Sequence, residues 1–115
     1  GIEAEAVASE FLVHGNEEQQ HADQLAERIS QLGGTPNLDP STLTTRSHSQ
    51  YATSTDLTEM IRENLVAERI AIASYTEIIN WLGTSDPTTR RLFEDILSVE
   101  EEHADDLIGF LEKVH

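Results

Sequence analysis

The sequence predicts an all-α helical bundle built as one domain, and three observations carry that prediction. Apolar residues recur at spacings of three and four along three long segments, the periodicity of a helix with one buried face. Glycine, proline and capping acids stand at the ends of those segments rather than inside them. At 115 residues with 37% apolar content, the chain can enclose one core but not two.

The elements follow in order across a single domain of residues 1–115. The first helix is expected over about residues 3–32 and stops at Gly33-Gly34, where glycine can take the left-handed conformation after a helix. Next comes GTPNLDPSTLTTRSHSQYATST, rich in Pro, Ser and Thr, so residues of about 33–55 read as a loop. A connection of about 20 residues is long for a compact domain and suggests a crossover between distant helix ends. The second helix is expected over about 56–82, with Asp56 and Glu59 in capping-box spacing at its start and Gly83 after its end. The third is expected over about 87–114, opened by the N-cap acid Asp86 and by Pro87 at the first helical position.

Composition excludes several function classes. There is no cysteine, so disulfides and thiolate metal sites are ruled out. No run approaches the roughly 18 apolar residues of a membrane span, and the first residues lack the basic-then-apolar order of a secretory signal. A cytoplasmic protein is therefore expected. The net charge is −15, from 22 acids against 7 bases, with no basic run. Duplex DNA and anionic membranes are bound through clustered Lys and Arg, so neither is an expected partner. The acidity suits solubility, and it also suits the attraction of metal cations.

Tracing each buried stripe locates the chemistry. The first runs Val7, Phe11, His14, Glu18, His21, Leu25, Ile29, Leu32. The second runs Leu57, Ile61, Leu65, Glu68, Ile72, Tyr75, Ile79, Leu82. The third runs Phe93, Ile96, Glu100, His103, Leu107, Phe110, Val114. Every stripe is apolar toward both ends and carries a carboxylate in the middle. In the first and third, EEQQH at 17–21 and EEEH at 100–103 add a histidine three residues after that carboxylate.

One Glu-x-x-His in so acidic a chain reads as a solvated helix face. Two copies, both on the core stripe and joined by a stripe glutamate on the intervening helix, read as a site. Burying three carboxylates costs several kcal/mol each unless a positive charge compensates. Arg28, Arg62 and Arg69 lie off the stripes and are expected to reach solvent, which leaves a divalent metal as compensator. Residues three apart share a helix face, so each Glu and His can reach one metal region, and the oxygen and nitrogen donors suit iron or manganese. The candidate ligands are Glu18, His21, Glu68, Glu100 and His103. His14 has no evident partner carboxylate and reads as a packing or rim histidine. Tyr75 reads as packing, Trp81 as core near a helix end, and Glu17, Glu101 and Glu102 as facing solvent or an ion path. His48 and His115 have no cluster around them.

At these residues the chain resembles the ferritin-like superfamily. The likeness is to bacterioferritins and, more closely, to Dps-like proteins with a bacterioferritin-type site. It rests on EEQQHADQLAERISQLGG, TTRSHSQY, LVAERIAIASYTEII and VEEEHADDL, and spans nearly the whole sequence. The resemblance implies a four-helix bundle with a long crossover between its second and third helices. Three of the four are present here. The family's additional N-terminal helix supplies one more glutamate; a longer natural chain is its expected source, with another chain as the alternative. By this resemblance Glu18, His21, Glu68, Glu100 and His103 are catalytic ligands of two iron ions per subunit. Glu68 and one further glutamate would bridge them, and manganese or zinc could substitute for iron.

The implied function is iron storage and detoxification. Fe(II) would be oxidised to Fe(III) by dioxygen or peroxide within a homo-oligomeric cage, of twelve subunits or else twenty-four, that limits oxidative stress. Haem-binding bacterioferritins place an axial methionine directly after the first-motif glutamate. Gln19 stands there, so haem is not expected. The alternative is a non-storing di-metal peroxidase or manganese catalase-like enzyme using a similar site without a cage.

Overall fold

The computed structural model describes residues 2–36 and 56–114, apart from the side chains of Ile2, Glu3 and Val114. The expected crossover falls mainly on residues 37–55, outside the described residues, as do His48 and His115. Among the described residues there are three helices: α1 (Ile2–Gln31), α2 (Leu57–Leu82) and α3 (Pro87–Val114). Among the described residues there are no strands, and no helix is long and apolar enough to cross a membrane.

Local chemistry fixes the ends. Asp56 caps α2 in an extended conformation, its carboxylate accepting from the Thr58 N–H at 3.1 Å. Gly83 ends that helix at φ 54°, a left-handed value that a β-carbon would disfavour. Three residues later Asp86 caps α3, accepting from the Thr89 N–H at 3.1 Å, with Pro87 in the first turn where no N–H is needed. The turn between Gly83 and Asp86 makes α2 and α3 an antiparallel hairpin.

Packing then sets the layout. α3 lies against both other helices, most extensively against α2, while α1 and α2 barely touch. At one end Val7, Ile61, Leu65, Ala104 and Leu107 form a buried cluster, with Phe11 and Phe110 packed against it. This places the starts of α1 and α2 beside the end of α3. At the opposite end Arg28 of α1 donates to Thr89 Oγ1 at 2.8 Å and to Asp86 Oδ1 at 3.1 Å. Arg28 therefore ties two helices together instead of reaching into solvent. The end of α1 and the start of α2 consequently lie at opposite ends of α3.

Two further expectations are corrected. Trp81 is 83% exposed, because it points away from the stripe that buries Ile79 and Leu82. Ile29 and Leu32 are also exposed, since Arg28 already lies level with the start of α3 at Asp86 and Thr89 and they follow it.

Candidate metal centre

Between the apolar cluster at one end and the Arg28–Asp86 link at the other lies a polar layer. Glu18 and His21 come from α1, Glu68 from α2, and Glu100 and His103 from α3. Helical spacing puts each residue on its inward stripe, and the antiparallel packing of α3 brings the three stripes level.

His103 is the hub, with a side chain only 2% exposed. Its Nε2 faces Glu17 Oε2 at 3.1 Å. Its Nδ1 faces three carboxylates, Glu18 at 3.4 Å and Glu68 and Glu100 at 3.7 Å each. Although charges surround it, Nδ1 makes no hydrogen bond, and neither does the buried Glu68 Oε2. Buried polar atoms are nearly always paired, so two orphans in one layer call for a partner. Burial alone would lower the His103 pKa, but the carboxyls of Glu100, Glu18, Glu68 and Glu17 override it and push it up to about 12. Without metal, an imidazolium stands where a cation is wanted.

Glu100 stands between the two histidines. Its Oε1 lies 3.2 Å from His21 Nδ1, and its Oε2 is the oxygen facing His103. With 1% of its side chain exposed, it has almost no contact with water. Glu18 differs, because 46% of its side chain is exposed. The sequence stripe placed it in the core, but α1 and α2 leave a groove between them where it lies. A cavity of about 150 Å³ there is lined by Phe11, His14, Glu18, Asn64, Glu68 and Glu100. What burial Glu18 has raises its pKa, the His103 contact opposes that rise, and nearby Glu100 adds to it.

Donor atoms of Glu18, Glu68, Glu100 and His103 all lie within 4.8 Å of one another, so the four could hold a metal ion. Metal–ligand bonds of about 2.0–2.2 Å leave neighbouring donors about 3.0–3.5 Å apart, so a small contraction of the observed spacing suffices. His21 stands outside that group and joins it through Glu100. Tyr75 packs on Phe93, its ring 5.7 Å away. Burial first, then the charges of Glu100, Glu18 and Glu68, push its phenol up to about 12, so it stays neutral. Gln19 is exposed and donates to Asp23 at 3.0 Å. Glu101 and Glu102 are exposed as expected.

Sequence reasoning missed Glu17 and His14. Glu17 sits one residue off the stripe, yet its carboxylate orients the hub histidine. His14 stacks on His103 with ring centroids 3.9 Å apart and has two carboxylates on its Nε2. A partner for Glu17 could have been guessed from the rule that a metal-binding histidine gives its other N–H to a carboxylate. Nothing in the periodicity signals which helices bring His14 and Asp106 together.

The family model of the ferritin-like domain matches residues 1–115. The chain belongs to that family.

Proposed function

We propose that the chain binds two iron ions through Glu18, His21, Glu68, Glu100 and His103, and oxidises Fe(II) to Fe(III) for storage and detoxification. The observation that carries this reading is the arrangement at His103. Its Nε2 is occupied by Glu17, which directs the bare Nδ1 toward three carboxylates, and a buried nitrogen so placed is suited to a metal. Ferritin-like bundles with two Glu-x-x-His helices and further glutamates hold a di-iron centre in this way.

Each residue then has a role. Glu100 would serve both ions, because its two oxygens face different histidines. His21 and His103 would each hold one ion. Glu68 offers Oε1 beside His103 and an unpaired Oε2, and Glu18 closes the site from the groove side. Hard carboxylate oxygens favour the ferric over the ferrous ion, which lowers the potential at which Fe(II) gives up an electron. Each Fe(II) loses one electron, and dioxygen or peroxide takes them up. His103 must lose its proton as iron enters, so binding releases a proton to the layer or to water. Storage of the ferric product would take place inside a homo-oligomeric shell of the Dps-like or bacterioferritin kind.

The test is anaerobic loading of full-length protein with Fe(II), then addition of dioxygen or peroxide, with ferric absorbance and particle mass followed together. Rapid oxidation with iron retained in a large particle is the expected result. Oxidation in a small oligomer that releases its iron would favour the non-storing di-metal enzyme instead.

A further inference from the structure

Beyond the central layer, three donor atoms meet at one point. His14 is 6% exposed, and its Nε2 lies 3.3 Å from Glu10 Oε1 and 3.5 Å from Asp106 Oδ2. Glu10 is one turn before His14 on α1, whereas Asp106 comes from α3, so the group joins two helices. One imidazole N–H donates well to a single acceptor, yet two carboxylates converge on it. A hydrogen bond alone does not account for both.

We propose that Glu10, His14 and Asp106 form a second, mononuclear site for a divalent cation, separate from the two-metal layer. Tetrahedral coordination at about 2.0–2.1 Å requires donors about 3.3–3.4 Å apart, close to both nitrogen–oxygen distances here. One imidazole and two carboxylates suit Zn(II) or Fe(II), and the two negative charges match a divalent ion. The site opens outward, because the Asp106 side chain is 46% exposed and that of Glu10 33% exposed. It leads inward as well. His14 lines the cavity that Glu18, Glu68 and Glu100 also line, and it stacks on His103. A cation held here stands at the threshold of the central layer, in contact with water on one side and one ring away from His103 on the other.

Zn(II) alone is the probe, titrated into the full chain by equilibrium dialysis with excess Mg(II) to occupy loose surface carboxylates. Asp106→Asn and Glu10→Gln change charge without changing shape, and His14→Phe keeps a ring stacked on His103 while removing the nitrogen. Each should lose one equivalent of Zn(II) per chain and retain the others, with helicity by circular dichroism unchanged. Glu68→Gln should do the converse, sparing this equivalent. The central reading can thus fail without touching this one. Unchanged stoichiometry in Asp106→Asn would overturn the proposal. So would simultaneous loss of the central equivalents, since the three residues would then serve that layer instead.

Discussion

The two Glu-x-x-His copies have the same spacing and opposite environments. In α3 the motif is sealed, with the Glu100 and His103 side chains 1% and 2% exposed. In α1 the histidine is buried but the Glu18 side chain is 46% exposed. The cause is packing. α3 lies against both other helices, whereas α1 meets α3 on one flank and a groove on the other. A motif therefore does not set a residue's role by itself. The number of neighbours covering it decides whether a carboxylate is dry, like Glu100, or half wet, like Glu18.

The largest effect expected from this contrast is on metal content. Glu100→Gln removes the carboxylate between the histidines and should abolish two-metal binding, while Glu18→Gln should weaken affinity but keep at least one ion. Metal analysis after desalting compares them, and equal losses would erase the distinction. Metal binding should also stabilise the fold, because it relieves the unpaired atoms of the layer. At a hundredfold excess over Kd the linkage is worth about 2.7 kcal/mol. Melting curves with and without Mn(II) measure it, and coincident curves would mean that the layer does not hold the ion.

The pH dependence sharpens the same contrast. Raised above 6.5 to about 12 in the folded state, His103 stabilises metal-free protein fully below about pH 6.5, and that contribution is lost as pH rises toward 12. Glu18, also raised, acts in the same direction from its ordinary value of 4.5 upward, more weakly because it is half exposed. Metal-free protein should therefore be less stable in mild alkali than near pH 6, and His103→Gln should flatten that slope. Metal affinity should run the other way and rise with pH, since bound cation replaces the proton. Denaturant midpoints at several pH values provide the comparison.

The smallest change is at the partner of the sealed motif. Glu17→Gln keeps a hydrogen-bond acceptor but weakens the orientation of His103, and should reduce affinity roughly 10–100-fold without altering stoichiometry. A competition titration against a chelator reads it, and unaltered affinity would reduce Glu17 to a surface acid.

Much of this was visible in the order of residues. The helical period placed Glu68, Glu100, His21 and His103 on inward stripes, and the caps Asp56 and Asp86 were readable because their chemistry is local. What was not readable depends on which helix stands beside which. Periodicity says that Glu18 faces inward, not that the flank it faces is a groove. It cannot say that Arg28 finds Asp86 and Thr89 across the bundle. Nor can it show that His14, with Glu10 one turn before it, also receives Asp106 from 92 positions later.

The most direct test of the account is anomalous diffraction from crystals of the full-length protein soaked anaerobically in Fe(II). Two iron peaks per chain are predicted in the central layer, one beside His21 Nδ1 and one beside His103 Nδ1, with Glu100 between them. A single peak, or two that leave Glu100 uncoordinated, would contradict it.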